Sequence, residues 1–111
     1  MSKYSEDIES LQQYMRSIQK YQTLTYEDEQ ALAYRWVNEN DRRAVHKLVN
    51  AHLRLVVKVA LGFRGYGLPL GELIQEGNIG LMQAVVRFNP DKGFRLSTYA
   101  MWWIKASMQE Y

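Results

Sequence analysis

Apolar residues recur at three- and four-residue intervals along most of this chain, the spacing of a helical face. Ile8, Leu11, Met15 and Ile18 form the first stripe. Thr25, followed by Glu27, Asp28 and Glu29, predicts an N-cap and an acidic first turn facing the positive end of a helix dipole. The helix it opens carries Leu32, Ala33, Trp36 and Val37 and should stop near Asn38–Asn40. Ala44, Val45, Leu48, Val49, Leu55, Val56 and Val59 then predict one long helix from Asp41 to Leu61 with a wide buried face. LRLVVKVAL is Val-rich enough for a strand, but its place inside a longer helical pattern favours helix.

GFRGYGLPLG ends that run, since its glycines and proline cannot sustain a helix. A further helix is predicted from Leu70 to Phe88. RFNPDKG then makes a turn punctuated by Pro90 and Gly93. Ser97 or Thr98 is expected to cap a final helix running into Tyr111. No Gly, Pro or C-cap stops it, so the chain is expected to continue in a longer protein. There are no repeats, low-complexity tracts or sustained strand alternation. The predicted class is all-α, a compact bundle of four to five helices.

Composition adds limits. The 111 residues suffice for one domain with a modest core. Without cysteine there are no disulfides or thiolate metal sites, which fits a reducing compartment. No apolar run reaches the length of a bilayer span, and the acidic, polar N-terminus is no signal peptide. Net charge is +2, unevenly spread: residues 1–50 hold seven Lys/Arg against eight Asp/Glu, and 51–111 hold seven against four. The C-terminal half is the better match for a polyanion.

Two segments carry the candidate chemistry. In FRLSTYAMWW, Phe94, Tyr99, Trp102 and Trp103 accompany Arg95, and Lys105 follows. Rings alternating with cations suit a groove that stacks unpaired bases and grips phosphates, although each ring also suits a core stripe. Adjacent Trp102 and Trp103 lie about 100° apart on a helix, so at least one should reach the surface. In GELIQEGNIGLMQAV, Gly77 and Gly80 interrupt a helix at up to ~1 kcal/mol each, which points to a close approach by another backbone. The polar residues between them, with Met82 beyond, suit either an ordinary amphipathic helix or a docking surface for a partner helix. Arg54, Lys58, Arg64, Arg87, Lys92, Arg95 and Lys105 are the basic residues of the second half, a set that solvation alone can explain. His46 and His52, six apart, point to different helix faces, so a shared metal site is not expected. Glu72 and Glu76 lie one helical turn apart, a common surface arrangement. No phosphate loop, HExxH or nucleophile–base pair is present, so the chain is not expected to be an enzyme or to need a cofactor or metal.

LRLVVKVA, LIQEGNIGLMQAV and RFNPDKGFRLSTYAMWWIKA together resemble region 2 of the bacterial sigma-70 family, the subunits that direct RNA polymerase to promoters. GYGLP, RFNP and WIKA…QEY look most like the heat-shock class of alternative sigma factors. The likeness is strong from Leu48 to Tyr111 and weaker over Leu11–Lys47, which is similar to region 1.2. It implies region 1.2-like helices over 1–47 and region 2 over 48–111, packed as one domain.

The resemblance implies two partners in the cytoplasm. Core RNA polymerase would be met through the β′ clamp helices by Glu72, Gln75, Glu76, Asn78 and Met82. The non-template strand of the promoter −10 element would be met by the C-terminal segment. There Tyr99 would stack on a flipped base, helped by Phe88 and Lys92. Trp102 and Trp103 would stand at the upstream fork of the bubble. Phe94, Arg95, Ser97 and Thr98 would line the strand path, with Lys105 beyond them. His52, Arg54 and Leu55 would shape a pocket for a second flipped base. His52 replaces a family Asn, Ala106 a Gln that reads a duplex base, and Leu96 an aromatic, so base preference should differ from the housekeeping −10 sequence. Chaperones and proteases that act on heat-shock sigma factors are further implied partners. Two other readings are a helical domain that occupies β′ without reading DNA, and a small helical enzyme acting on nucleic acid.

Overall fold

A computed structural model describes residues 3–63 and 67–111, with side chains described from Glu9 onward. Among the described residues six α-helices follow one another: α1 (Lys3–Gln19), α2 (Tyr26–Glu39), α3 (Arg42–Asn50), α4 (Leu53–Gly62), α5 (Leu70–Arg87) and α6 (Leu96–Gln109). A short 3₁₀ turn, Pro90–Lys92, joins α5 to α6. No strand occurs among the described residues, so the all-α expectation holds. No described helix is long and apolar enough to cross a membrane.

Local signals set most boundaries. Thr25 caps α2 by accepting from the Asp28 amide at 3.1 Å. Asn40 closes that helix in the left-handed region (φ 54°), which its short polar side chain tolerates. Asp41 caps α3 through the amides of Arg43 and Ala44 and holds the Arg35 guanidinium at 2.6 Å. Residues 64–66, including Arg64, lie outside the described part of the predicted GFRGYGLPLG break.

The long helix expected over Asp41–Leu61 is two helices, which raises the count to six. The chain leaves helical geometry at His52 (φ −116°, ψ 7°). Nδ1 of that ring donates back to the Leu48 carbonyl at 2.7 Å, and the ring turns inward toward Glu29. The apolar stripe continues across this break, so periodicity carried no warning of it. The last helix also differs from expectation. Arg95, not Ser97 or Thr98, is its N-cap, and it stops at Gln109 rather than at Tyr111.

The core is centred on α5 and α6. Leu73 and Leu81 of α5 meet Leu96, Ile104 and Met108 of α6, with Leu48 and Val56 closing one side; all are buried. Each such side chain contributes about 1.5–3 kcal/mol through removal from water. Gly77 and Gly80 are where α5 and α6 come closest. A β-carbon on Gly80 would stand 2.5 Å from the Trp103 carbonyl oxygen, and one on Gly77 would overlap the Met108 and Val56 side chains. The approach of a second backbone, expected from the sequence, is met at Gly80. At Gly77 the obstruction is side chain.

The first two helices are attached by polar staples. Arg54 of α4 donates to the carbonyls of Ile18 and Gln19 at the end of α1 (3.4 and 3.5 Å). Trp36 Nε1 of α2 donates to the Val86 carbonyl at 3.1 Å. The Tyr34 hydroxyl donates to Asp91, and Tyr26 to the Gly93 carbonyl. Helix α2 is thereby held against the α5–α6 connection.

Candidate nucleic-acid interface

Helix α6 buries Leu96, Ala100, Ile104 and Met108, a stripe at four-residue spacing. The rest of its circumference forms two flanks and a crest. Trp102 is the crest, with 77% of its surface exposed. On the α4 flank, Leu55, Ser97, Thr98, Met101, Trp102 and Lys105 line an open groove of about 450 Å³. Its walls combine an indole, apolar side chains, two hydroxyls and an ammonium group, the mix that suits a base, a sugar and a phosphate.

On the α5 flank, Tyr99 is half-buried between two rings. Phe88 lies 6.0 Å from it, tilted, and Trp103 lies 6.3 Å away, edge-on. The Arg87 guanidinium sits over Trp103 at 5.3 Å, within cation–π range. Phe88 is only 3% exposed. It lies beneath Tyr99 as the floor of that ring. Lys92 and Phe94 stand exposed on the connection leading into α6.

Below the start of α6 lies a residue that the sequence pointed to only as part of an acidic first turn. Glu29 is fully buried. Its carboxylate accepts from the Leu96 amide (2.9 Å) and from the Arg95 guanidinium (3.2 and 3.3 Å). His52 Nε2 is 3.7 Å away. A carboxylate from α2 therefore caps α6, where no side chain of α6 itself does. Burial pushes the Glu29 pKa up, but the bonds from His52, the Leu96 amide and Arg95 outweigh it and lower the value to about 2. Arg95 also donates to the Leu24 carbonyl at 2.9 Å, so its side chain, expected on a strand path, is anchored to α2 and the segment before it. His52 is 8% exposed and faces Glu29 rather than solvent. Leu55 reaches the groove, while Arg54 caps α1. His46 is exposed on α3, well apart from His52, and no described cluster of His, Asp or Glu has the geometry to hold a metal ion.

The second candidate surface is the outer face of α5. Glu72, Gln75, Ile79, Met82, Gln83 and Val86 are all exposed and form one stripe. Ile79 is at its centre, 54% exposed. Glu76 is half-buried at the margin. Asn78 is not on the stripe: its amide donates to the Tyr14 hydroxyl of α1 at 3.4 Å. The sequence does not mark Ile79 and Val86, because apolar residues on an amphipathic helix are ordinarily core. Their exposure became visible only with the α6 side of α5 fixed by Gly77 and Gly80.

Comparison with known proteins agrees with this arrangement. Residues 48–111 match Sigma-70 region 2, and residues 9–41 match Sigma-70 factor, region 1.2. The RNA polymerase sigma factor RpoH of Caulobacter vibrioides is 59% identical over 101 residues, covering 91% of this chain and 34% of that protein. RpoH of Zymomonas mobilis is 57% identical over 103 residues, covering 93% and 34%. The RNA polymerase sigma-C factor of Myxococcus xanthus is 52% identical over 101 residues, covering 91% and 34%. The chain spans about a third of the length of these relatives. With region 2 matched over more than half of its residues, the chain belongs to the sigma-70 family.

Proposed function

We propose that this chain is the part of a heat-shock-type sigma factor that docks on core RNA polymerase and opens the promoter −10 element by holding flipped non-template bases. The observation that carries the reading is α6 itself, with an exposed indole as its crest, a half-buried tyrosine on one flank and a mixed groove on the other. Flipping a base costs a few kcal/mol of pairing and stacking. Stacking on an aromatic side chain returns roughly 1–3 kcal/mol per base. Capture on Tyr99, backed by Phe88 and Trp103, thus balances much of the cost without nucleotide hydrolysis. The α4 flank, with Leu55, Ser97 and Thr98, receives the strand beyond that base, and Trp102 stands where the duplex ends. The β′ clamp helices meet the Glu72–Val86 stripe, where exposed Ile79 and Met82 supply apolar contact and Glu72 and Gln75 a polar rim.

The test is binding of a fluorescent non-template −10 oligonucleotide to the chain assembled with core polymerase. Tyr99→Ala is expected to weaken binding about 5- to 150-fold, the equivalent of one lost stack. Equal affinity of the two proteins for the oligonucleotide would overturn the DNA reading and leave a polymerase-binding helical domain.

A further inference from the structure

Helix α3 presents a basic face that none of the preceding chemistry uses. Arg42, Arg43, His46 and Lys47 are all exposed, share the side opposite buried Ala44 and Leu48, and line one shallow depression of about 310 Å³. No carboxylate among the described residues lies within ion-pair distance of any of them. The nearest in sequence, Asp41, is committed to the α3 cap and to Arg35. Their position also runs against helix electrostatics. The first turn of α3 contains no acidic residue and two arginines, where the positive end of the dipole disfavours cations. The preceding helix does the opposite, with Glu27, Asp28 and Glu29 in its first turn. Beyond the Asp41 cap no contact in the fold compensates the two arginines, and such a local conflict marks a surface kept for something else.

We propose that this face is a second, sequence-independent DNA contact, gripping the phosphate backbone of the promoter beyond the melted segment. The proposal rests on the DNA reading of α6 and extends it. An anion is the ligand these side chains favour, while the helix-end amides of Arg43 and Ala44 are already taken by Asp41. Continuity supports a nucleic acid. Helix α3 ends two residues before His52, and Leu55, one turn further on, already lines the groove. From Arg42 to Asn50 is about 12 Å of helix rise, a distance spanning roughly three to four phosphates of one strand of B-form DNA. Arg42, Arg43 and Lys47 supply three fixed charges, and His46 a further ring donor between them.

The test compares wild type, Arg42→Gln/Arg43→Gln/Lys47→Gln and Arg42→Lys/Arg43→Lys, each assembled with core polymerase, on fluorescent promoter DNA that carries a duplex flank, across a salt series. Each lost phosphate contact removes about 0.9 from the slope of log affinity against log salt concentration. The triple variant is expected to lose two to three contacts, so its slope should be shallower by roughly 2–3, with the lysine variant near wild type. Its unfolding temperature should equal or exceed that of wild type, because the dipole conflict is relieved. An unchanged slope overturns the proposal. So does a loss confined to core polymerase affinity, which would assign the face to an acidic protein surface. A drop in unfolding temperature would make the residues structural and overturn it equally. Tyr99→Ala, run alongside, lowers affinity without changing the salt slope, so failure of the base-capture reading is scored separately.

Discussion

Replacing Glu29 with Gln tests the link between α2 and α6 most directly. The substitution keeps the shape and removes the charge. The carboxylate accepts from two donors, the Leu96 amide and the Arg95 guanidinium. A glutamine amide must turn its own NH₂ toward one of them. The magnitude follows from the Glu29 pKa, about 2 in the fold against 4.5 ordinarily. That difference corresponds to roughly 3 kcal/mol in favour of the ionised folded state at neutral pH. Arg95 is 45% exposed, so solvent screens part of its share, and about 2–3 kcal/mol is the expected loss for Glu29→Gln. The folded pKa is depressed, so the stabilisation is fully present above about pH 4.5 and disappears as pH falls toward 2. Urea unfolding followed by far-UV circular dichroism should therefore show the wild type about 2–3 kcal/mol more stable at pH 7. The gap should narrow between pH 4.5 and 2. Stability curves that stay parallel through that window would refute the argument that the ionised carboxylate caps α6.

Other outcomes follow from the same geometry. Gly80→Ala should destabilise by roughly 1–3 kcal/mol, because the added methyl meets the Trp103 carbonyl; a thermal melt checks this. Trp36→Phe removes the bond to the Val86 carbonyl and should cost about 1 kcal/mol in chemical denaturation. Ile79→Lys should weaken core polymerase binding at least tenfold with the helical signal unchanged, and Glu76→Lys should weaken it less because Glu76 sits at the margin; equal losses would recentre the surface. Phe88→Ala should cost about 3–5 kcal/mol of stability, as a core ring does, whereas Trp102→Ala should leave the melt within about 0.5 kcal/mol of wild type.

Helix positions were legible in the sequence wherever a local signal set them. Thr25 and the acidic residues after it began α2, the glycines and Pro69 bracketed α5, and Pro90 and Gly93 marked the turn before α6. What escaped depended on residues far apart in the chain. The His52 ring at the helix break faces Glu29 of α2, and the cap of α6 comes from a carboxylate 67 residues earlier. No window along one helix contains that information. The aromatic segment was read correctly as a place where one indole must be exposed, since adjacent tryptophans cannot share a direction. Which ring is floor and which is surface needed the neighbouring helix: Phe88 and Trp102 look alike in sequence, yet one is buried and the other largely exposed. On α5 the sequence singles out polar members of the exposed stripe, while its apolar centre at Ile79 is hidden by the ordinary rule that apolar residues go inside.

The glycine contact between α5 and α6 has a mechanical side. Where Gly80 meets the Trp103 carbonyl, only the small Ser107 side chain shares the contact between the two helices, and close-packed interiors transmit displacement rather than absorb it. A load on Ile79 and a load on Trp102 therefore push on opposite sides of one stiff plate. If the polymerase tilts α5 on docking, the rings of α6 tilt with it, and bulkier residues at Gly77 or Gly80 would loosen that lever as well as the fold.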